Sequence, residues 1–119
     1  MTNQIVTPRA LGGDSWIMGE NMNTKQPAVY ILANRRNGIL YVGVTSDLLK
    51  RIWEHRSNLV EGFTKRHKAH TLVFFEIHKS MGSAIQKEKR IKKWNRAWKI
   101  RLIEKNNPTW RDLYKEICK

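Results

Sequence analysis

From Pro27 onward, apolar and polar residues alternate with strand periodicity, first over Ala28 to Asn34 and again over Ile39 to Val44, with Asn37-Gly38 between the runs. Asn-Gly accepts the positive φ that tight hairpin turns demand, so this pattern predicts a β-hairpin. If the loop holds an even number of residues, even positions of the first strand share a face with odd positions of the second. Val29, Ile31, Ala33, Leu40, Val42 and Val44 then form one apolar face. Tyr30, Tyr41 and Gly43 stand together on the other, which Leu32 and Ile39 show to be partly covered as well.

The period becomes helical after Ser46-Asp47, read as an N-cap and a first-turn acid, and predicts a helix from about Asp47 to Ser57. Arg51 and His55 lie four apart on it. His70 to Ile77 alternates again, predicting a third strand with Val73, Phe75 and Ile77 on one face. Ser83 and Gln86 read as a capping box for a helical region running from Ala84 towards Lys105, with a break expected at Asn95 and a stop at Asn107-Pro108. Thr109 and Asp112 read as a second box, opening a short final helix that ends near Cys118. Met1 to Thr24 shows neither period and is rich in Asn, Gly and Thr; it reads as a disordered leader, with Met18 or Met22 as alternative starts, before one domain over residues 25–119.

On the long helix Ala84, Ile85, Ile91, Trp94, Trp98 and Leu102 define the apolar side, and Glu88 falls on that stripe. An inward carboxylate needs a partner, whether a metal ion or an arginine such as Arg51, unless it snorkels from the edge. Lys87, Lys89, Arg90, Lys92, Lys93, Arg96, Lys99 and Arg101 surround it, a setting suited to phosphate and metal. Trp94 and Trp98 read as core rather than as base-stacking platforms. Lys65 and Arg66, with Phe63 and Thr64, read equally as a basic loop over the site or as a solvated turn.

Charge narrows the partners. The chain carries 23 Lys and Arg against 10 Asp and Glu, a net charge of +13, and the first 25 residues contribute none of the excess. Such a field selects polyanions, nucleic acid first. The single cysteine excludes an internal disulfide and a cysteine-based zinc cluster. His67 and His70 lack companion ligands at zinc spacing, and no Gly-rich phosphate loop or G-x-S-x-G elbow is present. No apolar run approaches the length of a membrane span and no targeting segment is evident, which leaves a cytoplasmic, nucleoid-associated location as the expectation.

Ala28-Val29-Tyr30 and Tyr41-Val42-Gly43, followed in order by Arg51, His55 and Glu88, resemble the motifs of the GIY-YIG nuclease superfamily over about Gln26 to Tyr114. Leu48 to Arg56, Gly62 to Arg66, Glu88 to Trp94 and the Asn107-Pro108-Thr109-Trp110 tail are similar to small stand-alone bacterial members. The resemblance implies an α+β fold, a three-stranded antiparallel sheet flanked by helices, and a site using one Mg2+ or Mn2+ ion to cut nucleic acid, DNA before RNA, in repair or recombination. It makes Tyr41 the general base, Tyr30 its neighbour, Arg51 the phosphate holder, His55 a group beside the base and Glu88 the metal ligand. Lys65, Arg66, Lys87, Arg90, Lys93 and Arg96 are the candidate nucleic-acid contacts. The sequence departs from the pattern at Ala28, where a glycine is usual, and at Val44, where the excision-repair branch has lysine. Asn95, Asn106 and Asn107 are the candidates for a late family asparagine. The competing readings are a non-cutting DNA- or RNA-binding module of the same fold and a basic ribosome-associated protein.

Overall fold

The structure is a computed structural model that describes residues 26–57 and 62–118; the expected leader lies outside them. Strand β1 (Ala28–Ala33) pairs antiparallel with β2 (Leu40–Thr45), with Ala28 opposite Thr45 and Tyr30 opposite Gly43, so paired positions do sum to an odd number. The turn between them places Asn37 at φ 57°, a left-handed conformation that Asn tolerates better than most residues. Asn34 Oδ1 accepts from the Ile39 amide at 2.8 Å and closes the loop. Strand β3 (Thr71–Ile77) pairs with the other edge of β1, giving a three-stranded antiparallel sheet in the order β2-β1-β3. All six β1 residues are buried, as expected of a central strand covered on both faces.

The sheet is flanked by helices: α1 (Leu48–Arg56), α2 (Phe63–His67), α3 (Met81–Lys93), α4 (Arg96–Asn106) and α5 (Tyr114–Ile117). On one face Tyr30, Leu32 and Leu72 pack with Leu48 and Ile52 of α1 and Ile117 of α5. On the other, Val29, Ile31, Val42, Val73 and Phe74 pack with Ile91 of α3 and Ile103 of α4. Among the described residues no helix is long and apolar enough to cross a membrane.

Several local expectations are corrected. Val73 does not share a face with Phe75 and Ile77: a β-bulge lies where Ile31 faces Phe74 but Leu32 faces Leu72, and the extra residue shifts the alternation by one. Asp47 is itself the α1 cap, its Oδ1 accepting from the Lys50 amide at 3.3 Å. The long helix begins at Met81, three residues before the expected Ala84, because Ser80 and not Ser83 is its cap, Ser80 Oγ accepting from the Ser83 amide at 3.1 Å. It does break at the expected place. Trp94 turns extended at ψ 152°, and Asn95 caps α4 by accepting from the Trp98 amide. Lys65 and Arg66 lie on the helical turn of α2 rather than on a loop. The Thr109-Asp112 box does not form, since Asp112 is recruited elsewhere: Oδ1 accepts from the Leu72 and Tyr114 amides, and Oδ2 from Arg56 at 2.5 Å.

Asn107 fastens the end of α4 to the sheet. Its buried side chain donates to Val73 O at 3.1 Å and Arg111 O at 2.9 Å, and accepts from the Arg111 amide at 3.1 Å. The bulge and the turn after α4 are thus satisfied by one side chain.

Candidate functional site

The hairpin register and the buried side of α1 together build a cluster of three rings. Tyr30 sits on β1 between Gly43 of β2 and Phe75 of β3. Its ring lies directly over Gly43, where a Cβ would fall 2.5 Å from both Cζ and Oη. Glycine is therefore a steric requirement of the second tyrosine motif, separate from any need for unusual dihedrals. Tyr41, two residues before Gly43 and only partly buried, brings its ring centroid to 6.3 Å from that of Tyr30. Leu48, Ile52 and His55 form the inward side of α1, which carries the imidazole to 6.0 Å from the Tyr30 ring and 5.7 Å from the Tyr41 ring. Tyr30 Oη and His55 Nε2 are 3.2 Å apart, within hydrogen-bond reach.

The electrostatics separate the roles of these groups. Burial, followed by the neighbouring Tyr41, pushes the Tyr30 phenol well above its ordinary value, so it keeps its proton. Burial, followed by the Arg51 charge, lowers His55 from 6.5 to about 4 and keeps the ring neutral at pH 7. A protonated phenol can donate to Nε2 in the tautomer that carries its proton on Nδ1.

Arg51, one turn before His55, is half exposed, with Nε 3.7 Å from Glu54 Oε1. Glu54 was not singled out from the sequence, although its i,i+3 relation to Arg51 was a legible signal. Glu88 is buried on α3, as its position on the apolar stripe required. It pairs with Lys92 Nζ at 2.5 Å, one turn along the helix, and not with Arg51. That i,i+4 spacing too was legible, but was read only as part of a general basic surface. The charges of Arg51, Glu88 and Glu54 all act on the Tyr30 phenol, so α1 and α3 present charged groups to one tyrosine cluster.

Among the described residues no group of three or more His, Cys, Asp or Glu could hold a metal ion. What is present is a single buried carboxylate that already carries a cation, the Lys92 ammonium. This fits a hard ion of the Mg2+ type, which keeps several waters and takes substrate phosphate as a ligand; it does not fit a caged metal.

The expected nucleic-acid contacts divide into two groups. Lys65 and Arg66 on α2 and Arg90 and Lys93 on α3 are exposed. Lys87 instead pairs with Glu76 at 3.3 Å, and Arg96 donates to the carbonyls of Asn37 and Gly38, each at 2.6 Å, fastening α4 to the hairpin turn. Of the late asparagines, Asn95 is a helix cap and Asn107 a buried clamp. Trp98 is not core: it is 51% exposed, because the break at Trp94 rotates α4 out of phase with α3.

Residues 26–101 match the family model described as the GIY-YIG catalytic domain. A UPF0213 protein of Syntrophus aciditrophicus is 37% identical over 66% of this chain and 90% of its own length. Another, of Staphylococcus haemolyticus, is 33% identical over 64% of this chain and 92% of its own. A UPF0213 protein of Bacillus halodurans, solved by solution NMR, is 27% identical with a TM-score of 0.48, covering 76% of this chain and 95% of that one. The chain belongs to the GIY-YIG family, a nuclease superfamily, as a small member similar to the UPF0213 proteins.

Proposed function

We propose that the chain is an endonuclease that hydrolyses DNA phosphodiester bonds with one Mg2+ or Mn2+ ion, selecting its substrate by nucleic-acid structure rather than by sequence. The observation that carries this reading is the convergence of Tyr30, Tyr41 and His55 into one ring cluster under the charges of Arg51 and Glu88. GIY-YIG nucleases act on nucleic acid and generally use a divalent metal, and the excess of cations suits a polyanionic substrate.

In this reading Tyr41, the less buried phenol, is the general base: it passes its own proton to solvent as its oxygen takes one from the attacking water. The water oxygen bonds to phosphorus as the scissile P–O bond breaks, and the leaving oxygen is protonated by solvent. Tyr30 keeps its proton and acts as a fixed donor, held by His55. The half-exposed Arg51 guanidinium binds the scissile phosphate with paired N–H donors. Glu88 would hold the ion once half-exposed Lys92 turns to solvent. The bound ion supplies charge neutralisation at the phosphate. Lys65, Arg66, Arg90 and Lys93 contact the backbone on either side, in the cytoplasm or on the nucleoid.

The test is a cleavage screen over single-stranded, duplex, nicked and branched DNA and RNA with Mg2+ or Mn2+. Cleavage of at least one DNA, abolished in Tyr41→Phe with binding retained, is the expected result. A wild-type protein that binds these substrates and cuts none would be the non-catalytic binding module.

A further inference from the structure

The surface where α3 gives way to α4 is more apolar than its surroundings explain. Trp94 and Trp98 meet edge to face, with ring centroids 5.9 Å apart and an interplanar angle of 78°. Trp98 leaves about half of its surface open. The pair opens into a shallow cleft of about 600 Å³ lined also by Leu102, Arg101, Lys105 and Glu104. Glu104 accepts from Trp110 Nε1 at 2.6 Å, so its carboxylate is engaged, whereas Arg101 and Lys105 are exposed cations without a carboxylate partner among the described residues. The cleft therefore combines an aromatic face, braced from behind by a second ring, with positive charge at its rim.

That combination selects one occupant. A protein partner would need apolar side chains and carboxylates together, whereas an unpaired nucleotide brings a π-face and a phosphate in one unit, matching ring and cations. Duplex bases are already stacked and cannot use Trp98. The cleft lies on the α3–α4 side of the sheet, opposite the face that carries Tyr30 and Tyr41, and Arg96 ties the start of α4 to the turn that leads into the Tyr41 strand.

We infer that Trp98, backed by Trp94 and flanked by Arg101 and Lys105, stacks an unpaired base of the DNA substrate, so that the enzyme selects DNA with a single-stranded segment. This rests on the nuclease reading for its biological meaning, yet its test requires no cleavage. Fluorescence anisotropy of the full chain in EDTA compares a blunt duplex with the same duplex bearing a single-stranded overhang. Trp98→Ala lowers affinity for the overhang DNA on the order of 5- to 100-fold, the usual range for one lost base-aromatic stack, and leaves the blunt duplex within about twofold. Trp98→Phe, which keeps a ring, restores most of the loss. Equal losses on both DNAs, or none on either, overturn the inference. So does a Trp98→Ala protein whose affinities are intact but whose melting temperature or self-association has changed, because the cleft would then be covered by the chain itself or by a second copy. Failure of the nuclease reading would appear separately, as absent cleavage with the overhang preference intact.

Discussion

Tyr30 and His55, twenty-five residues apart in the chain, bring Oη and Nε2 to 3.2 Å inside the core. Both are about 2% exposed, and burial moves them in opposite senses, the phenol up and the imidazole down to about 4. Each is therefore held in its neutral form at pH 7, the form that burial favours for a titratable group.

A pH dependence of stability follows from that pair. The unfolded chain protonates His55 near 6.5, whereas the folded chain resists until about pH 4, so between those values the unfolded state binds more protons. Stability from this group is present above pH 6.5 and is lost as pH falls towards 4, by at most about 1.4 kcal/mol per pH unit. Urea denaturation of wild type and of non-titrating His55→Gln over pH 4–8 is expected to show the variant with the flatter profile; parallel profiles would remove His55 from the account.

Gly43→Ala places a methyl group 2.5 Å from Cζ and Oη of Tyr30. Tyr30 is held between two strands and cannot yield without disturbing its contact with His55. The expected outcome is a loss of about 1–3 kcal/mol in stability, typical of overpacking, with cleavage reduced further than the residual folded fraction explains. A variant as stable and active as wild type would show that the ring moves freely.

Glu88→Gln is expected to abolish cleavage while changing stability little. Its partner Lys92 is half exposed and can turn to water, and glutamine leaves no buried charge behind, so the loss should stay below the roughly 3–5 kcal/mol that breaking a fully buried bridge to Arg51 would have cost. Melting temperature and metal-free DNA affinity should stay near wild type while the cleavage rate falls by orders of magnitude across a Mn2+ titration. Retained cleavage would assign the ion to another group.

Asn107→Ala leaves the carbonyls of Val73 and Arg111 and the Arg111 amide without their partner. A cost on the order of 2–4 kcal/mol is expected from stranded buried groups, measurable by urea denaturation. A loss under about 1 kcal/mol would mean that water replaces the side chain.

The hairpin, its register and the pairing of the two tyrosine motifs were legible from the sequence because period-2 alternation and an Asn-Gly turn are local signals, and one register puts every apolar side chain on a covered face. Glu88 was legible as an inward acid for a similar reason, since helical phase is set by nearest-neighbour geometry. The bulge at Val73, the engagement of Asp112 with Arg56 and β3, and the partnership of Tyr30 with His55 were not, because each depends on residues distant in sequence competing for one donor, acceptor or volume. The sequence alone determined which side chains face inward wherever the local period is unbroken. Tertiary packing decided the caps, the exposure of Trp98 beyond the break at Trp94, and the pairing of Glu88 with Lys92, since phase is lost at each break and electrostatic partners are chosen only when elements meet.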